Sequence, residues 1–378
     1  MTKKGGGRAG VIGNVIVSLL LLNILSCWAP EPYKIGFLGG LTGGLSSISI
    51  AARNGVILAI EEANRTGGLA DRKVELLIKD DRNDPETALQ GMEYFVRSRA
   101  VGVIGPMTSE LSRVTAPLSE KNKMVMISPF ANSADFTDQG EFFFRISPTD
   151  RDEARHLADL SFRERGYRRI SILYDLTNRE YTENRAFYFR DFIEALGGTI
   201  VQVTSYTTRD DTDFGLLTTQ ASQNNPDVVY ILADGSDLVR ICRQLKKRNH
   251  DLPVLATGMA ITPELLKQGG AAVNGIEFFQ SFDFNSTAVV YQRFLDDYKN
   301  RFHEEPELGA FYAFESAKIM LTALEQARAK RNLNDIIHEI KDFKGLQETL
   351  EINQYGAAER TLVHKRIDNG AIVTIGGR

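Results

Sequence analysis

Two serine-bearing turns hold the residues of this chain best suited to chemistry. Gly105–Ser109 ends in Thr108-Ser109 at the start of an amphipathic stretch, and Ser128–Ser133 follows the next apolar run. Free backbone N–H groups and the dipole at a helix start favour an anion, above all a carboxylate. Ser109 could equally cap its own helix, the commoner role for a serine there. Asp234, just past another apolar run, could meet an ammonium or cap its loop. Catalytic residues are not expected. The five histidines, His156, His250, His303, His338 and His364, are scattered, with no H-E-x-x-H and no paired Cys/His set, so no metal site is expected. Asp234-Gly235-Ser236-Asp237 lacks the closing glycine of a nucleophile elbow. The acid pairs Glu61-Glu62, Asp80-Asp81 and Asp210-Asp211 read as solvated faces. Gly36, Gly39, Gly40, Gly43 and Gly44 never supply the G-x-G-x-x-G spacing, and no cofactor is expected.

The elements that must position these turns form a regular alternation. Val101–Ile104 and Met124–Ile127 are short, wholly apolar strands, with a helix from about Ser109 to Glu120 between them. Such a βαβ unit belongs to a parallel sheet covered on both faces, and both turns fall on its carboxyl edge, where ligands bind. Upstream, strands Tyr33–Leu38 and Val74–Lys79 each precede a helix, the second announced by Asp84-Pro85. Downstream, strands Arg168–Tyr174, Thr199–Tyr206, Asp227–Ala233 and Pro253–Ala256 alternate with helices in a second doubly wound unit. Helices are expected over Ala288–Phe302, Leu308–Ala329 and Asn334–Phe343, then strands over Thr361–Ile367 and Ala371–Ile375.

The chain has 378 residues, enough for two cores, of which 43% are hydrophobic and 25% charged. Its net charge is −4; the first 26 residues carry three bases and no acid, so without them it becomes −7. A mild acidic excess with no basic run argues against nucleic acid. The N-terminus reads as an export signal, a basic start followed by an apolar run from Val11 to Leu25 and Ile24-Leu25-Ser26-Cys27. That tetrapeptide looks like a lipobox that would make Cys27 a lipidated first residue; a plain secretory signal and an uncleaved anchor are the alternatives. Cys242, the other cysteine, falls inside an apparent helix and reads as a core thiol.

The segment VIGPMTSELSRVTAPLSEKNKMVMISPFANSADFT resembles the periplasmic solute-binding proteins typified by the leucine/isoleucine/valine-binding protein. Their pattern runs V-I-G-x-x-x-S, P-L-x-E and I-S-P-x-A-x-x-x-x-L-T, and Asp135-Phe136-Thr137 departs from it only in the apolar residue. The likeness extends from about Tyr33 to Arg378, with Gly40-Leu41-Thr42-Gly43 keeping all but the proline of a cleft-mouth P-L-T-G loop. It implies the type I periplasmic-binding-protein fold, two doubly wound parallel-sheet α/β lobes joined by a multi-strand hinge. Residues 1–26 would be a lipoprotein signal peptide, 33–147 and 281–360 the first lobe, and 148–280 and 361–378 the second. The same resemblance implies a ligand carboxylate at Ser109, beside Phe130, Ala131 and Asn132. It also places Tyr181 in the cleft, although a helix-start aromatic is an equal reading, and it puts Met259 where the family's amine-neutralising acid stands. The implied partners are a small-molecule ligand, an amino acid or related carboxylate or amide; an ABC transporter permease; and a membrane, through the lipid anchor. The location would be the periplasm or cell surface. A sensory receptor subunit and a periplasmic α/β enzyme are the alternatives.

Overall fold

The computed structural model describes residues 30–43, 46–133, 140–248, 252–327 and 331–376, so Cys27, His250 and the Asp135-Phe136-Thr137 end of the motif lie outside the described residues. Strand Tyr33–Gly39 (β1) leads into helix Ser46–Arg65 (α1), Val74–Asp80 (β2) into Pro85–Arg97 (α2), and Gly102–Ile104 (β3) into Ser109–Asn122 (α3). Val125–Ser128 (β4) and Phe143–Arg145 (β5) complete a five-stranded parallel sheet in the order β2-β1-β3-β4-β5. These strands are uniformly apolar because both faces are covered. Val125 and Ile127 pack with Phe311 and Ala313, while Met124 and Met126 pack on the opposite face with Met92, Phe95 and Leu111. Asp84 caps α2 by accepting from the Thr87 N–H at 2.8 Å, with Pro85 in the first turn.

After β5 the chain enters a second unit. Helix Asp150–Asp159 (α4) runs into a π-helical turn at Leu160–Glu164. There follow Arg169–Asp175 (β6), Arg179–Leu196 (α5), Thr199–Tyr206 (β7), Phe214–Ala221 (α6), Val228–Leu232 (β8), Gly235–Lys247 (α7), Val254–Ala256 (β9), Pro263–Gly269 (α8) and Glu277–Gln280 (β10). The chain then returns to the first sheet with Val289–Phe302 (α9), Leu308–Gln326 (α10) and Leu333–His338 (α11). Strands Phe343–Lys344 (β11), Thr349–Ile352 (β12) and Ala358–Glu359 (β13) come next, then Val363–Asp368 (β14) and Ala371–Gly376 (β15). The second sheet has the order β15-β14-β10-β9-β8-β6-β7, parallel from β10 to β7 and antiparallel where β14 and β15 close its edge.

The expected helix over Asn334–Phe343 needs correcting. It stops at His338, and Phe343 pairs with Leu350 in a small antiparallel sheet, β11-β12-β13. Strands of two to four residues are too short to show a period of two. Cys242 is a buried thiol within α7, and burial pushes its pKa up to about 12.

Three crossings connect the two sheets, after β5, β10 and β13, and two buried bases tie them together. Arg360, on the third crossing, donates to the Ile146 carbonyl of the first at 2.6 Å and pairs with Glu315. Lys365 donates to the Phe282 carbonyl of the second crossing at 2.8 Å and to Asp283 at 3.0 Å.

Candidate functional site

In each parallel sheet the strand order reverses at one place, between β1 and β3 in the first and between β6 and β8 in the second. Loops diverge at such points and leave a crevice. The two crevices face one another across a cavity of about 390 Å³. Its first wall includes Gly40, Asp81, Met107 and Thr108; its second includes Asp175, Asn178, Tyr181, Asp234, Thr257 and Met259. That volume lies within the usual range for a small-molecule site.

On the first wall, Asp80 ties down the loop after β1, accepting from the Leu41 N–H and the Thr42 hydroxyl, each at 2.8 Å. Its neighbour Asp81 overturns the reading of this pair as a solvated face, being fully buried. One carboxylate oxygen accepts from the Asn83 N–H at 2.9 Å; the other has no partner. Burial, with Asp80 and Asp84 nearby, pushes its pKa up to about 6. The signal was its place just past the carboxyl end of a parallel strand.

At the start of α3 the cap is Thr108, whose hydroxyl accepts from the Leu111 N–H at 3.3 Å. Ser109 is buried, and its hydroxyl donates to Asn132 Oδ1 at 3.4 Å. Ser128 fastens the second turn to the first, donating to the Pro106 carbonyl at 2.6 Å and accepting from the Ala131 N–H at 3.0 Å. The structure thus brings Ser109, Phe130, Ala131 and Asn132 together, all buried. Phe130 and Asn132 line a small pocket of about 20 Å³ that shares Met259 with the large cavity, and Phe130 meets Tyr312 edge-on at 5.1 Å. Ser109 and Ala131 line neither pocket.

On the second wall, Tyr181 sits in the first turn of α5 and is 5% exposed. Its hydroxyl interacts with that of Thr257, while among the described residues the amide oxygen of Asn178 has no hydrogen-bond partner. Burial pushes the Tyr181 phenol up to about 12, so it is neutral and free to donate. Asp234 caps α7, accepting from the Asp237 N–H at 2.9 Å, and also lines the cavity. Met259, in the 3₁₀ turn Gly258–Ala260, offers no charge. The walls are latched by Arg113 to Glu180 at 2.7 Å and by Asn184 donating to Ser133 at 3.0 Å. Among the described residues, no group of three or more His, Cys, Asp or Glu side chains could hold a metal ion.

Two α/β lobes with a ligand-sized cavity between the carboxyl ends of their sheets define the architecture of a solute-binding protein. The chain belongs to the periplasmic binding protein family, whose pattern matches residues 32–366. A Leu/Ile/Val-binding protein of Rhizobium johnstonii is 25% identical over 328 residues, covering 85% of this chain and 87% of the relative. The fold is also that of the branched-chain amino acid transporter substrate-binding protein of Streptococcus pneumoniae, solved in complex with isoleucine. That likeness has a TM-score of 0.81 at 23% identity and covers 91% of this chain and 99% of that one. A solute-binding protein of an ABC transporter from R. palustris, in complex with benzoate, matches with a TM-score of 0.80 at 16% identity over 92% and 96% of the chains.

Proposed function

We propose that this chain is the extracytoplasmic binding component of an ABC importer. It captures a small polar ligand, an amino acid or a related carboxylate or amide, between its lobes and delivers it to a membrane permease. The observation that carries this reading is the interlobe cavity, with unpartnered buried polar atoms on both walls. Family membership and a relative named for binding leucine, isoleucine and valine support the same class.

In this reading residues 33–147 with 281–360 and residues 148–280 with 361–378 are the moving lobes, and residues 1–26 are the signal removed before Cys27 is acylated. The start of α3 receives the ligand carboxylate through Ser109, with Phe130, Ala131 and Asn132 around it. Tyr181 closes from the other lobe. Asp234 faces the cavity and supplies the countercharge that Met259 cannot, which favours an amino acid over its des-amino analogue. Contacts with both walls bias the hinge toward the closed form, and the ligand leaves chemically unchanged.

A thermal-shift screen across amino acids, amides and small carboxylates tests this. A ligand at 100 times its Kd adds about 2.7 kcal/mol to the apparent stability. Small-angle scattering with a hit is expected to show a smaller radius of gyration, with the ligand recovered intact. A chemically altered ligand, or no hit in any class, would overturn the reading.

A further inference from the structure

The charge on the cavity wall is all of one sign. Asp81 and Glu307 face it from the first lobe, and Asp175, Asp234 and Glu264 from the second, while among the described residues no Lys, Arg or His lines it. Each acid has neutral hydrogen-bond donors, and among the described residues none is paired with a cation. Asp175 accepts from Thr177 and Thr208, Asp234 from the Asp237 N–H, Glu264 from Gln268, and Glu307 from Ser47. Asp81 differs from the other four. It is fully buried, and one of its oxygens has no partner at all. Buried Tyr181 and Thr257 line the same space.

A cavity with low-dielectric walls focuses the field of the acids that line it. An added carboxylate meets repulsion from both sides, and a neutral zwitterion leaves most of the field uncompensated. A surplus cationic nitrogen is attracted to every wall. From this we propose, resting on the amino-acid reading above, that the preferred ligand is a basic amino acid of net charge +1 whose side-chain cation is held by this field on the Asp81 side of the cavity. The raised pKa of Asp81 has the same origin, a carboxylate buried without a countercharge.

Calorimetry with matched pairs tests the proposal: lysine against norleucine, and arginine against citrulline. The cationic member of at least one pair is expected to bind about 10- to 100-fold more tightly, the range of one charge-assisted hydrogen bond. The gap should narrow in 0.5 M salt, on the order of a Debye length well below 10 Å. Asp81→Asn should shrink the gap between the cationic and the neutral member of each pair. The salt dependence of the wild type reads the same charge without any variant, should that one fail to fold. If a neutral amino acid binds as tightly as its cationic partner, or Asp81→Asn leaves the gap intact, the proposal is overturned and the amino-acid reading stands. If none of the four binds, the proposal is overturned, and the reading above falls with it only if the wider screen also gives no hit.

Discussion

Asp81 is the residue on which burial and charge conflict most sharply. Its carboxyl titrates near 6 in the folded chain against an ordinary value of 3.8, chiefly because burial disfavours the ion. Between those values the native state holds more protons than the unfolded one, so the contribution of this group to stability falls as pH rises through that window. At about 1.4 kcal/mol per pKa unit, the loss is roughly 3 kcal/mol by pH 7. Urea denaturation at pH 4 and pH 7 is therefore expected to show Asp81→Asn gaining stability over the wild type at pH 7 and losing that advantage at pH 4. An equal effect at both values would mean that the carboxyl is not perturbed. Glu277 shows the opposite balance. Burial would raise it, but hydrogen bonds from His364 at 2.6 Å and from Arg165 outweigh burial and hold it at about 2.

Among the elements, α1 and α10 make the closest approach. A Cβ on Gly55 would stand 2.3 Å from the Ala310 carbonyl oxygen, and one on Gly309 would stand 2.2 Å from that of Ile48. Both obstacles are backbone, so neither can move aside as a side chain would, and the glycines are what let the two helices touch. Ser47, Ile48 and Glu307 beside this contact line the cavity, so helix packing and site geometry are linked here. Gly309→Ala is expected to cost about 1–3 kcal/mol, the range for overpacking. Thermal unfolding measures it, and an unchanged Tm would mean that the helices separate freely.

For the whole molecule, the proposed hinge and anchor are the features that would set how the cavity is used. Arg360 and Lys365 tie the three crossings together through buried side chains. Among the described residues no helix is long and apolar enough to cross a membrane. Anchoring is therefore argued from Ile24-Leu25-Ser26-Cys27, and a multiply acylated cysteine holds a protein stably where one chain would not. Cys27→Ser is expected to shift the protein from the membrane fraction to the soluble one or to block processing. Unchanged fractionation with an unchanged N-terminal mass would remove the anchor.

The alternation of apolar strands and amphipathic helices made the α/β class legible, because strands buried on both faces must be apolar throughout and their helices must show a period near 3.6. The turns at Gly105–Ser109 and Ser128–Ser133 were legible for the same reason, since they end such strands. Sequence could not show that Thr108 rather than Ser109 caps α3, because adjacent hydroxyls differ only in backbone angles. Nor could it separate Asp81 from Asp80. Neighbours in the chain, they are turned by the strand end so that one binds the Gly40–Gly43 loop and the other is buried at the cavity wall. The sequence by itself determined which segments fold and where their carboxyl ends lie. Only the tertiary structure decided which acids share the cavity, because Asp81, Asp175 and Asp234 come from separate loops on two lobes and their common field exists only once both sheets face each other.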